Sequence, residues 1–215
     1  SHDRERQRFR TLFQRLDAEV PRGRLLSVGC GLGFDVAVAK EFGYDAEGLE
    51  PAHIAADFAR TELGVRVHAM TLAEFAASRE SLDVVTLWDV LEHVPDPDVL
   101  LGRIASLLRP GCIAVVRAPN VRGLFTLLSL YLSRFTGEWR HPEPPAHLFD
   151  FSPITLERLG LRCGLRMRRV LDDEWPLDKL VAVSRRPRVT DLLARIAYPL
   201  ARRLRIGNSM IAILE

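Results

Sequence analysis

At 215 residues, with 47% hydrophobic and 27% charged side chains, the chain has the composition of one globular domain that buries its core without staples. Its net charge of +2, from 30 basic and 28 acidic residues, leaves no electrostatic footprint for nucleic acid. Cys30, Cys112 and Cys163 show no CxxC spacing and read as reduced thiols without a zinc or other metal constellation, and the longest apolar run, 124–132, falls short of the roughly 20 residues of a membrane span.

Phe9, Leu12, Phe13, Leu16 and Val20 fall on i, i+3, i+4, i+7 and i+11, one stripe of a helix over 1–20 that Pro21 and Gly23 end. The run RLLSVGC (24–30) is apolar on both sides, the pattern of a buried parallel strand. A helix over 35–42 stops at Gly43, and YDAEGLE (44–50) is a second strand. Pro51 suits the first turn of a helix ending near Gly64. VRVHA (65–69) and LDVVTLW (82–88) make the third and fourth strands. Asp96 caps a helix with Pro97 at its first position and Leu100, Ile104, Leu107 and Leu108 on its apolar face. Arg109, Pro110 and Gly111 turn the chain out of it, and CIAVVRAP (112–119) is the fifth strand. Strand and helix alternate five times, which predicts a doubly wound α/β sheet with right-handed crossovers.

After Pro119 the rhythm changes. Residues 124–135 read as a mostly apolar helix, 140–152 as a proline-rich loop, and a helix starts at Ser152 and Pro153 with Ile154, Leu156, Leu159 and Leu161 available for burial. Residues 165–171 are a sixth strand, 177–186 are ambiguous between strand and helix, 189–204 are helical with a bend at Pro199, and 209–215 form a final strand. The expected organisation is a single domain (1–215): an N-terminal helix (1–20), a cofactor-binding core (23–118), a substrate or lid segment (120–150), and C-terminal helices and edge strands (151–215).

In an open α/β sheet, ligands bind beyond the carboxyl ends of the strands, beside the first strand–helix turn. Gly29, Gly31 and Gly33 lie there, at every second position. Phe34 counts against the GxGxxG seat for a pyrophosphate, and no GKS or GKT follows. Glu50 ends the second strand, where a carboxylate can accept both hydroxyls of a ribose through charge-assisted bonds. Adenosine held without a pyrophosphate seat suggests S-adenosylmethionine as the cofactor.

With those residues, the stretches LLSVGCGLG, GLEP, SLDVVTLWDVLEHVPDP, LLRPGC and PPAHLFDFSPITLERLGLRCGLRM resemble the class I S-adenosylmethionine-dependent methyltransferases, and most of all the group similar to ubiquinone-pathway O-methyltransferases. The resemblance covers most of residues 23–170. It implies a Rossmann-like, mostly parallel, seven-stranded sheet with an antiparallel edge hairpin. It also implies a glycine loop (Gly29, Cys30, Gly31, Gly33) around the methionine part of the cofactor and Glu50 with Pro51 at the ribose. Met70, Thr71 and Leu72 would flank the adenine, and Trp88 and Asp89 would lie beside the methyl group. The chain departs from the group twice. Ser27 stands two residues before the first loop glycine, where an acid is usual, and Met70 or Thr71 stands where an acid meets the adenine amino group.

Methyl transfer to a hydroxyl gains from a general base, and histidine is the side chain suited to that near neutral pH. His93, just past the fourth strand, and His147, in the loop after the fifth, are the candidate bases; each also reads as a loop brace. Asn120, Trp139 and His141 are candidate acceptor contacts, Asn120 alternatively a cap. Glu92 reads as a solvated or ion-paired charge at a helix start. The apolar helix over 124–135 packs on the sheet or lids an apolar or aromatic acceptor. Arg195, Arg202, Arg203 and Arg205 beside Leu192, Leu193, Ile196 and Leu200 suit a solvated basic face, or weak contact with an anionic membrane surface. The expected function is methyl transfer to a small-molecule acceptor, a hydroxyl of an apolar, aromatic or sugar-containing metabolite, by a cytoplasmic monomer or homodimer. The alternatives are a non-catalytic cofactor-binding scaffold and a nicotinamide-dependent oxidoreductase.

Overall fold

Strands β1 (Arg24–Val28), β2 (Asp45–Leu49), β3 (Val67–His68), β4 (Leu82–Trp88) and β5 (Leu108–Pro119) run parallel, as their unbroken apolar stretches predict. The computed structural model describes residues 2–76, 78–124, 126, 127, 130, 131, 134, 147–173 and 207–215. Two more strands, β6 (Met167–Asp173) and β7 (Ser209–Leu214), complete a seven-stranded sheet in the order β3-β2-β1-β4-β5-β7-β6. β7 runs antiparallel to both of its neighbours, so this edge carries the antiparallel ladder. The strand order reverses between β1 and β4, which puts the switch point of the sheet beside the glycine loop.

Helices α1 (His2–Leu16), α2 (Phe34–Glu41) and α3 (His53–Glu62) bury Leu12, Phe13, Val36, Ala39, Ala56 and Ala59 in one apolar cluster. Helices α4 (Pro97–Leu107) and α5 (Pro153–Arg162) bury Leu101, Ile104, Leu107, Leu156 and Leu159 in a second. The strands serve both by alternation: Val84 and Trp88 of β4 join the first cluster, Val85 and Leu87 the second. Each fully buried Leu or Ile contributes about 1.5–3 kcal/mol. α5 starts as its sequence predicts, with Ser152 and Thr155 capping each other's backbone.

Several boundaries differ from the sequence reading: α1 ends at Leu16 rather than at 20, and β6 is shifted by two residues from the expected 165–171. Pro51 precedes α3 rather than opening it, because the Glu50 carboxylate accepts from Ala52 N and folds the chain into a turn first. β5 begins at Leu108, directly after α4, because Leu108 pairs with Leu82 and the sheet absorbs the following Arg109–Gly111 as a register shift. The described residues of the segment 124–134 are helical, and among them Leu127, Leu130 and Tyr131 are exposed. The segments expected at 177–186 and 189–204, and the arginines of the basic face, lie outside the described residues. Among the described residues no helix is long and apolar enough to cross a membrane.

Candidate functional site

The site begins where β1 ends. Gly29 N and Cys30 N both donate to Leu49 O (2.8 and 3.0 Å), tying the loop to the end of β2. Gly29, Gly31 and Gly33 all have positive φ, but for different surroundings. A side chain at Gly29 would strike Val90, and one at Gly33 would strike Ala59 of α3, so both permit close packing. A side chain at Gly31 would meet nothing within 4 Å. Gly31 therefore presents bare backbone to open space, which is what a ligand in close contact needs. The Cys30 side chain turns away, onto Gly48, and burial pushes its thiol pKa up, which makes it inert.

Glu50 is fixed from both sides. Its Oε2 accepts from Gly31 N at 2.8 Å and its Oε1 from Ala52 N at 2.9 Å. Each oxygen keeps a lone pair for a further donor, so a diol can be read in one orientation. Pro51 is exposed beside it. After β3, Leu72 is buried and Met70 half-buried in the core, while Thr71 is exposed. Thr71 N and Oγ1 both donate to Glu74 Oε2 (2.8 and 2.7 Å), so the nearest carboxylate on this turn is held by its own backbone.

At the end of β4 the structure redistributes the expected roles. Trp88 is buried against Phe9 and Phe13 of α1, ring centroids 5.7 and 6.2 Å away. Asp89 sits in the left-handed region with φ 57°, a conformation Asp tolerates better than most side chains. Its carboxylate is ion-paired to Arg117 of β5 and approached by Arg8 of α1 at 3.5 Å. Arg117 is 3% exposed and also bonds Asp173 of β6 through Nε at 2.6 Å; Arg15 of α1 reaches Asp173 at 3.0 Å. Burial opposes the charge of Arg117, but Asp89 and Asp173 outweigh it and raise its pKa. Sequence reasoning overlooked this network, although an arginine inside the apolar run of β5 was its signal, since a buried guanidinium requires partners.

Just beyond, a single 3-10 turn (Leu91–His93) brings three titratable side chains together. Leu148 N and Phe149 N donate to Glu92 O at 2.8 and 3.3 Å, which ties the chain at 148–149 to this turn. His93 and His147 meet edge to face with ring centroids 4.9 Å apart. The potential ligand atoms of Glu92, His93 and His147 all lie within 4.8 Å of one another, so the three could also hold a divalent cation, although their sequence spacing predicts no metal set. Glu92 is not the solvated charge of the sequence reading. It is 1% exposed, and neither carboxylate oxygen has a hydrogen-bond partner among the described residues. Burial, helped by the negative charge of Asp89, pushes its pKa up to about 7, against the pull of its own backbone N–H, His93 and Arg117.

That shift has a consequence for stability. The folded-state pKa lies above the unfolded value of 4.5, so the folded protein binds the proton more tightly, and stability falls as pH rises from 4.5 to 7. Glu92→Gln removes the penalty. At pH 8 the variant is expected to be more stable than wild type by up to about 3 kcal/mol, with no gain at pH 4.5, as measured by urea unfolding at both values. Equal stabilities at pH 8 would mean that Glu92 ionises without cost.

Asn120, expected at the acceptor or as a cap, is buried; its Nδ2 donates to Gly207 O at 3.0 Å, and its Oδ1 accepts from Arg122 N at 3.0 Å, a bond of the capping kind. Trp139 and His141 lie outside the described residues.

A family model described as a methyltransferase domain matches residues 2–170. A ubiquinone biosynthesis O-methyltransferase of Rhodopseudomonas palustris is 31% identical over 173 residues, which are 72% of this chain and 65% of that one. Another protein of that name, from Aeromonas salmonicida, is 31% identical over 185 residues, 75% of this chain and 73% of the relative. Among solved structures, a SAM-dependent methyltransferase from Archaeoglobus fulgidus has the same fold, with a TM-score of 0.68 at 21% identity, covering 97% of this chain and 93% of that one.

Proposed function

From the premise that this chain belongs to the methyltransferase domain family and uses S-adenosylmethionine, we propose that it methylates a hydroxyl of a small, apolar or aromatic acceptor. The carrying observation is the meeting of Glu92, His93 and His147 beyond the end of β4, with a buried carboxylate whose oxygens have no hydrogen-bond partner among the described residues. The relatives named as ubiquinone biosynthesis O-methyltransferases support oxygen as the acceptor atom. Leu148 and Phe149, 52% and 40% exposed beside the same turn, support an apolar body for the acceptor.

The residues fit the cofactor. The bare face of Gly31 admits its amino-acid arm, and the Glu50 oxygens, each with a free lone pair, suit the ribose hydroxyls. When bound, the cofactor supplies a methyl group on a positively charged sulfur. The chain's work is to align the acceptor and handle its proton. His147 or His93 would take the acceptor's hydroxyl proton during transfer and pass it on to water. Asp89, held by Arg117 and Arg8, braces the wall beside the methyl rather than acting as a base.

Incubation with methyl-labelled S-adenosylmethionine and a panel of phenols, catechols, arylamines and activated carbon acids tests this reading. Label in a methyl ether is the expected result, while label in nitrogen or carbon products alone overturns the hydroxyl assignment. Stimulation by added Mg²⁺ that needs all three of Glu92, His93 and His147 would turn the base into a cation holder. Glu50→Ala is expected to weaken S-adenosylhomocysteine binding at least tenfold in a calorimetric titration, from loss of two charge-assisted bonds and of the order they impose on the Gly31 loop.

A further inference from the structure

Beneath the glycine loop lies a second carboxylate that nothing above employs. Asp35, in the first turn of α2, is 2% exposed. One oxygen accepts from the Ser27 hydroxyl of β1, while Oδ1 is buried with no close hydrogen-bond partner among the described residues. The indole Nε1 of Trp88, at the end of β4, is likewise buried and turned toward the Asp35 carboxylate, whose charged form it favours. The charges of Asp35 and Glu50 both act on the Cys30 thiol, so two carboxylates bracket the loop. Burying a carboxylate costs a folded chain stability, and at Asp35 burial outweighs the hydrogen bonds that reach it. The acid that the family resemblance expects at position 27 is absent from β1, and the fold returns one to that spot from α2.

We propose that Asp35 is a positioning residue of the cofactor site: its carboxylate, set by Ser27, supplies the negative charge beneath the Gly29–Gly33 loop that orients the ammonium-bearing amino-acid arm of S-adenosylmethionine. This rests on the cofactor reading above. The groups packed around Asp35 are Ser27 from β1, Cys30 from the loop and Trp88 from β4. α1 contributes Phe9 and Phe13 against Trp88, and its Arg6 and Arg10 are paired with Glu41 at the far end of α2. Burial pushes the Asp35 pKa up to about 6, against hydrogen bonds from the Ser27 hydroxyl, the backbone N–H groups of Val36 and Asp35, and the Trp88 indole. The carboxylate therefore ionises within the working range, and cofactor affinity follows it.

Calorimetric titration of wild type, Asp35→Asn and the swapped pair Ser27→Asp/Asp35→Ser with S-adenosylmethionine and S-adenosylhomocysteine, from pH 5 to pH 8, tests this. Wild-type affinity is expected to rise with pH, with a midpoint near 6 that persists in Glu92→Gln and so belongs to Asp35. Asp35→Asn is expected to bind at least tenfold more weakly at pH 8, with a flat profile. The swapped pair, with its carboxylate on β1, is expected to recover affinity to within about threefold, which a purely structural role of Asp35 would not produce. Wild-type affinity and pH profile retained in a folded Asp35→Asn overturn the inference and leave the cofactor reading standing. Failure of the wild type to bind either compound overturns both.

Discussion

His147→Ala is expected to lower kcat for methyl transfer about 10²- to 10⁴-fold while leaving S-adenosylhomocysteine affinity within about threefold of wild type. The reason is positional. His147 is brought to the site by the bonds from Leu148 N and Phe149 N to Glu92 O and by its ring contact with His93, whereas the proposed cofactor contacts are Gly31 and Glu50. His93→Ala is expected to show the same division, because its ring lies against that of His147. If the two rings work as one unit, the double variant falls no further than the worse single variant, since groups that act together lose their effect together. Single-turnover rates with a saturating acceptor decide it. Loss of cofactor affinity with little change in rate would assign both rings to loop bracing.

The second large effect is on folding. Arg117→Leu is expected to destabilise the protein by about 3 kcal/mol, toward the lower end of what removal of one partner from a buried ion pair costs. The guanidinium is 3% exposed between two carboxylates, and without it, among the described residues, Asp89 keeps the 3.5 Å ion pair with Arg8 and Asp173 the one with Arg15. Those residual contacts keep the loss below the upper end. Arg117→Leu combined with Asp89→Asn and Asp173→Asn is expected to recover at least half of it, because no uncompensated charge then remains buried. Urea unfolding of the three proteins measures the comparison. A loss under 1 kcal/mol for Arg117→Leu would place the network energetically among surface pairs.

These two predictions draw on residues that the sequence revealed to different degrees. His93 and His147 were legible as histidines in loops after strands, but not as neighbours: 53 positions separate them between 93 and 147, and the crossover through α4 and β5 closes the distance. Glu92 read as a solvated charge because local spacing does not report depth. Its burial comes from the loop at 148–149 folding over its turn. Asn120 was legible as polar after a strand, but its bond to Gly207, 87 positions on, was not.

What the sequence determined by itself was the alternation of strands and helices, the glycine loop, and Glu50 at the end of β2. Each rests on interactions between residues near in the chain: period-2 or period-3.6 burial, positive φ at glycine, and a carboxylate bonding backbone N–H groups around its own turn. What only the tertiary structure decided was the pairing of charges and polar groups across elements: Asp35 with Ser27, Arg117 with Asp89 and Asp173, Glu92 with two histidines. Hydrophobic burial is non-directional and depends on pattern, so it can be read along the chain. A buried charge requires a particular partner at a particular distance, and that is fixed only once the crossovers have set which strand ends lie side by side.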